Sequence, residues 1–202
     1  MNIQILIFNG FDSLDAIAPH EVWHMARELK PEVEVQLVTS NGFKEITAAN
    51  GLRVQAEGQL AATRPDILVV PGGGWISRAV AGAWAEAQHG ALPAKIAQLH
   101  HDGVVIASVC TGAMLLAAAG LLKNRPATTN HGAWDELSAA GARVVRARVV
   151  DDDDIITAGG ITSGLDLTLW MVERFLSAET AHVLEERLEY ERRGTVWKRS
   201  EE

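Results

Sequence analysis

The 202-residue sequence predicts an α/β fold in which a mostly parallel sheet is covered by helices on both faces. Three observations carry that expectation. Short apolar runs of strand length alternate with segments whose apolar residues recur at helical spacing. Three of those runs stop at glycine-containing loops: DILVV at PGGG, VVIASV at CTG, and DIITA at GGITSG. The uncharged stretch from Val104 to Leu122 is β-branched in its first half and helix-forming in its second. That split suits a buried strand turning into a buried helix better than one membrane-spanning helix of similar length.

The elements follow in order. Ile3 to Phe8 (IQILIF) suits a buried parallel strand, and Asp15 to Lys30 places Ile17, Val22, Met25, Ala26 and Leu29 at helical spacing. Glu34 to Thr39 reads as a second strand. Asn50 to Ala56 (NGLRVQA) offers a turn and a short strand, forming a small β-hairpin with the preceding segment. Asp66 to Val70 is a strand ended by Pro71-Gly72-Gly73-Gly74. A helix from about Leu92 to His101 leads into the strand Val104 to Val109 and then the helix Gly112 to Leu122. Arg143 to Val150 and Ile155 to Ala158 read as strands joined by a solvated turn, Asp151 to Asp154. A helix from about Leu165 to Leu176 follows, and Ser177 to Thr180 starts a last helix that runs into a charged end. No repeat or linker interrupts the pattern, so residues 1–190 are expected to form one domain and 191–202 a charged tail.

Composition narrows the function classes. With 48% hydrophobic and 22% charged residues the chain reads as an ordinary globular protein. A net charge of -8 argues against a nucleic-acid partner, which would require clustered Lys and Arg. A lone cysteine forms no intrachain disulfide, and MNIQILIFNGFDSLD lacks the basic n-region of a signal peptide. The expectation is a cytoplasmic protein with neither nucleic acid nor membrane as partner.

Cys110 is the leading candidate for chemistry. It stands where a strand must turn into a helix, with Gly112 allowing close backbone approach, the pattern of a nucleophile elbow. A helix N-terminus at the sulfur predicts a stabilised thiolate and N–H groups for developing negative charge. Asp15 is the candidate acid: near a thiolate in a dry pocket its pKa is expected to rise, fitting it to transfer protons. Asp12 reads as part of an exposed turn. Gly72, Gly73 and Gly74 are candidates for a backbone donor nest, since neither a phosphate loop nor the dinucleotide spacing accompanies them. His20 and His24 sit one helical turn apart, but no further zinc ligands accompany them, and no metal site is expected.

Taken together these segments resemble the ThiJ/PfpI superfamily. The likeness lies in ASVCTGAMLLAAAGLL, preceded by DILVVPGGG and followed by RPATTNHGAWDEL and IITAGGITSGLDLTLWMVERF. LDAIAPHEVW is similar to the LDxxGPxxVF stretch of its isonitrile hydratase branch, and the likeness spans about Ile3 to Tyr190. It implies a flavodoxin-like three-layer α/β/α sandwich of the class I glutamine amidotransferase type, and a homodimer. It also implies Cys110 as nucleophile, Asp15 as its acidic partner, Thr111 as the residue following the cysteine, and Gly73 as an oxyanion-pocket amide. Other branches carry histidine after the cysteine and glutamate as the acid; Thr111 and Asp15 stand there instead, which favours the hydratase branch. Two departures bear on the substrate. Asn130 occupies the position of the histidine in the branch's TTHW, with His131 where the tryptophan stands, and ERRGTVWKRSEE replaces a proline-rich end.

The expected activity is therefore lyase-type: water added to a small electrophile, an isonitrile, through a covalent thioimidate on Cys110. That reaction requires no metal or organic cofactor, and none is expected. The alternatives are a glyoxalase-, deglycase- or amidase-like cysteine enzyme, or a sensor in which Cys110 oxidises to sulfinic acid beside Asp15.

Overall fold

The predicted apolar runs assemble into a single eight-stranded sheet in the computed structural model, which describes residues 1–42 and 45–199. The chain begins with β1 (Asn2–Leu6), α1 (Ser13–Leu29), β2 (Glu34–Thr39), β3 (Glu45–Thr47), β4 (Arg53–Gln55), β5 (Gly58–Gln59) and β6 (Ile67–Val70). It continues through α2 (Ala83–His89), α3 (Ala91–His101), β7 (Val105–Ser108), α4 (Gly112–Ala118) and β8 (Pro126–Ala127). A 3₁₀ turn at His131–Ala133 precedes α5 (Trp134–Ala139), β9 (Arg143–Val144), β10 (Val149–Asp152) and β11 (Ile155–Ala158). The last elements are α6 (Ser163–Phe175), α7 (Ala178–Leu188) and β12 (Trp197–Lys198).

Strand order is β12-β10-β11-β7-β6-β1-β2-β5, parallel throughout except where β10 runs antiparallel to β11. Parallel central strands buried on both faces need apolar residues at every position, and Ile67 to Val70 are all at most 1% exposed. Helices α1, α6 and α7 pack together on one face, and α2, α3, α4 and α5 on the other. The result is the expected three-layer, flavodoxin-like sandwich. The small hairpin is also present, as β3 paired antiparallel with β4.

Local chemistry fixes two of the helix starts. Asp12 caps α1, its carboxylate accepting from the Leu14 amide, so it belongs to the helix start and not to an exposed turn. Ser177 caps α7 by accepting from the Thr180 amide.

Further sequence expectations need correction. Arg143 to Val150 is not one strand: Arg143–Val144 forms β9, paired with β8 outside the main sheet, and β10 begins at Val149. The helix after Cys110 ends at Ala118 and not at Leu122. The chain leaves it through Gly120 at φ 77°, the left-handed conformation that ends many helices. The four aspartates are not one solvated turn: Asp151 and Asp152 belong to β10, at 5% and 0% exposure, and only Asp153 and Asp154 turn the chain. Burial there is compensated by charge pairing, with Arg174 on Asp151 at 2.7 Å and Arg125 and Arg199 on Asp152 at 2.5 and 2.6 Å. Among the described residues no helix is long and apolar enough to cross a membrane.

Candidate active site

Four neighbouring parallel strands, β11, β7, β6 and β1, end on the same side of the sheet. In such a sheet the crevice beyond the carboxyl ends, where strand order reverses, is the place for chemistry. The three glycine-containing loops singled out in the sequence emerge there, together with the loop from β1 to α1.

Cys110 stands at the elbow between β7 and α4 with φ 56°, a left-handed conformation that costs a non-glycine residue energy. Its neighbours hold that geometry. The Cys110 amide donates to the carbonyls of Gly159 at 2.9 Å and Ala158 at 3.1 Å. Its own carbonyl accepts from Thr129 Oγ1 at 2.8 Å. Gly112 lets the elbow close: a Cβ there would lie 2.2 Å from the Val70 carbonyl oxygen, so only glycine fits at this crossing. The cysteine itself is 5% exposed.

Asp15 lies in the first turn of α1 and is fully buried. Oδ2 accepts from the Gly72 amide at 3.0 Å. Oδ1 has no hydrogen-bond partner among the described residues, and the Cys110 thiol near the carboxyl favours its ionised form. The Thr111 amide and the Asn130 side chain favour the ionised form of the cysteine sulfur. The expected donor nest is partly engaged within the protein, for the Gly73 amide donates to Thr111 Oγ1 at 3.0 Å and the Gly72 amide to Asp15. Gly73 is held at φ 119°, where a Cβ would meet the Asp12 amide nitrogen at 2.5 Å, so the PGGG loop rests directly on the start of α1.

The electrostatics differ from the expected free thiolate. Burial, then the Asp15 charge, push the Cys110 thiol up to about 12, against the Thr111 amide and the Asn130 side chain, which favour the ionised sulfur. Burial, then Asp12, push Asp15 up to about 8, against the Gly72 amide and the cysteine. Two acids in contact share their titration, so the pair enters neutral pH holding both protons. Such a pair can deliver a sulfur nucleophile and a proton to one carbon atom together. It does not present a standing thiolate.

The structure thus brings Cys110, Asp15, Thr111, Gly72 and Gly73 together, with Gly72 bonded to Asp15, Gly73 to Thr111, and Gly74 next in the same loop. Asn130, which stands where the branch has a histidine, also acts on the cysteine. The signal was its place after Thr128-Thr129, where the resemblance aligned it with a histidine, while His131 packs edge-on against Trp134. Thr129 and the Gly159 carbonyl, which fix the cysteine backbone, carried no residue-type signal. Asp12 acts on both titrating groups from its capping position. His20 and His24 stack on each other, and among the described residues no cluster of three metal-ligating side chains occurs.

A cysteine at a strained elbow on a flavodoxin-like sheet, paired with a buried acid, defines the class. The chain belongs to the DJ-1/PfpI family, whose description matches residues 1–174. It is 31% identical over 191 residues to an isonitrile hydratase of Pseudomonas putida, covering 94% of this chain and 78% of that protein. It is 30% identical over 176 residues to a deglycase of Thermococcus kodakarensis, covering 86% of this chain and 96% of that protein. Among solved structures, a ThiJ/PfpI family protein from Pseudomonas syringae matches with a TM-score of 0.82 at 28% identity, over 96% of this chain and 76% of the other.

Proposed function

We propose that this protein hydrates an uncharged isonitrile to the N-substituted formamide through a thioimidate on Cys110. The observation that carries the reading is the burial of Cys110 together with the Asp15 carboxyl, which favours the protonated form of both, with Thr111 and not histidine following the cysteine. An isonitrile carbon must gain both a nucleophile and a proton, and this pair supplies both. As Cys110 sulfur bonds to the terminal carbon, Asp15 gives its proton to that carbon and takes the thiol proton, leaving the protein-bound R–N=CH–S unit. Water then adds across the C=N bond, its oxygen to carbon and a proton to nitrogen. The C–S bond breaks as the new hydroxyl yields its proton to sulfur, releasing the formamide and restoring the thiol. The Thr111 amide and Asn130 stabilise negative charge on sulfur as it enters and leaves.

The surroundings support a neutral substrate with an apolar substituent. The groups that act on Cys110 are Asp15, Thr111, Asn130 and Asp12, none of them cationic. Two exposed apolar side chains flank Asn130. Ile76, 60% exposed, reaches Gly132, where its Cδ1 lies 2.6 Å from the position of a Cβ; Ile161, 38% exposed, follows Gly160, whose Cβ position is 2.3 Å from the Asn130 amide. The similarity to the isonitrile hydratase supports the same reading. The test is direct: purified protein with cyclohexyl isonitrile should yield cyclohexylformamide, and Cys110→Ala should yield none. Failure of the wild type to form formamide overturns the proposal. Because a deglycase is also among the relatives, methylglyoxal is the counter-substrate, and Cys110-dependent loss of methylglyoxal alone would transfer the reading to that class. A homodimer, suggested by the family resemblance, is part of the proposal and is read by sedimentation velocity.

A further inference from the structure

The end of the chain, ERRGTVWKRSEE, departs from the family pattern, and its residues up to Arg199 are bound to the domain at both ends. At one end Tyr190 Oη donates to Asp166 Oδ2 at 3.0 Å and the Arg193 amide to Asp166 Oδ1 at 2.6 Å. At the other, β12 pairs with β10 and Arg199 meets Asp152. Between these anchors the chain borders a cavity of about 410 Å³, against Val149 and Trp170.

Asp166 is 2% exposed and serves a second partner. Arg148 donates to its Oδ2 from Nε at 2.9 Å and Nη2 at 2.5 Å, and Nη2 also reaches Thr162 Oγ1 at 3.2 Å. The Arg148 carbonyl accepts from the Gly159 amide at 2.9 Å, and the Gly159 carbonyl accepts from the Cys110 amide at 2.9 Å. Arg148 therefore grips the Gly159–Thr162 loop at both ends. That loop supplies the carbonyl that holds the strained cysteine and carries the glycine against which Asn130 rests.

We propose that Arg148 is a positioning residue for Cys110, and that the Tyr190–Arg193 segment acts on the same elbow through the shared carboxylate of Asp166. Neither touches the sulfur; both act by fixing the loop beneath it. Releasing the loop admits water to the thiol, making it more reactive toward small reagents while spoiling its alignment with Asp15. A purely structural ion pair would change stability without moving these two properties in opposite directions. The inference rests on Cys110 as the reactive group of the proposed function, but not on the identity of the substrate.

The test uses the full-length chain and its lone cysteine, so that each iodoacetamide adduct is read as one mass shift. Arg148→Ala should raise the alkylation rate at pH 8 about tenfold and move the rate–pH curve about one unit lower. The same variant should lower kcat for cyclohexyl isonitrile about tenfold or more, with KM changed less. Arg148→Lys, keeping one bond to Asp166, should restore at least half of each change on a logarithmic scale. Tyr190→Phe, which deletes a single oxygen, should shift both readouts in the same directions by smaller amounts. Arg187→Ala, removing a surface pair with Glu28, serves as the control and should leave both at wild type. Alkylation and its pH curve unchanged in Arg148→Ala overturn the positioning role. Unchanged readouts in Tyr190→Phe overturn the link to the chain end, and Tyr190→Phe carries the whole test should Arg148→Ala fail to fold. Absence of isonitrile turnover in the wild type removes the proposed function and leaves this inference to the alkylation curves.

Discussion

The Gly72 amide meets Asp15 Oδ2 at 3.0 Å, so the loop after β6 and the first turn of α1 converge on the buried acid of the site. The amide favours the carboxylate and burial opposes it, and burial prevails: Asp15 is raised to about 8. If Asp15 must hold its proton to deliver it, kcat/KM should fall as pH rises through about 8. Asp15→Asn keeps the shape and one hydrogen-bonding oxygen but cannot pass a proton, and should lose on the order of 10²–10⁴ in kcat. A pH–rate profile of both proteins checks each expectation; a wild-type rate that keeps rising beyond pH 9 would remove Asp15 as the acid.

The same shift bears on stability. A carboxyl whose folded pKa lies above its ordinary value favours folding fully at pH below that ordinary value. The contribution is lost as pH rises toward the folded value, here from the ordinary 3.8 to about 8. Asp15→Asn removes the penalty, so its Tm should exceed the wild type's at pH 8.5 and not at pH 4. A gain of 1 kcal/mol corresponds to about 2–4 °C in a domain of this size. Thermal melts at the two pH values measure it.

Cys110 at φ 56° offers a separate measure of strain. Alanine removes the sulfur but keeps the Cβ that makes the left-handed conformation costly; glycine removes both. Cys110→Gly should therefore be more stable than Cys110→Ala by about 1 kcal/mol, less whatever glycine restores to the entropy of the unfolded chain. Denaturant unfolding of the two inactive variants tests this, and equal midpoints would mean that the elbow stores no strain.

How much of this was legible beforehand depended on whether residue type or only position carried the information. The β-branched run into Cys110 and the obligatory Gly112 marked the elbow, because so tight a strand-to-helix turn demands those residue types. Asp15 and the PGGG loop were legible for the same reason. The protonation state was not. It follows from full burial of Asp15 and near-full burial of Cys110, which no local pattern encodes. Thr129 and Gly159 hold the cysteine through backbone groups or a hydroxyl that any loop might contain, so only the fold reveals them. The aspartate run misled because four consecutive acids resemble a solvated turn, while the arginines that neutralise them come from distant positions, Arg125, Arg174 and Arg199.

Those arginines are testable through Arg125, which donates from Nε to Asp152 Oδ2 at 2.5 Å and also pairs with Asp154. Asp152 is fully buried, so Arg125→Ala leaves its charge to Arg199 alone and should cost about 3 kcal/mol. Burial works against ionised Asp154, yet bonds from Arg125 and His100 hold it down to about 2. A depressed carboxyl stabilises the fold above its ordinary pKa and loses that contribution as pH falls through the folded value. The wild-type advantage over Arg125→Ala should therefore narrow between about pH 4 and pH 2. Urea unfolding across that range is the measurement, and an advantage independent of pH would assign the cost to packing instead of charge.

The last prediction concerns what the site admits. Asp15 and Asp12 both act on Cys110, and no cation offsets them there. An isonitrile bearing a carboxylate brings its charge toward Asp12 and a buried pair that offers it no cation, and meets the exposed apolar side chains of Ile76 and Ile161. Isocyanoacetate should accordingly show a kcat/KM at least tenfold below that of an uncharged alkyl isonitrile of similar size, about 1.4 kcal/mol of discrimination. Two opposing charges a few ångströms apart near a protein surface exchange several kcal/mol, so a single basic side chain at the rim is enough to alter the ratio. Ile76→Arg should raise kcat/KM for isocyanoacetate while lowering it for the apolar substrate, and raised salt should shrink that gain if it is electrostatic. Equal rates on the two substrates in the wild type would show that neither the acidic pair nor the apolar rim reads charge.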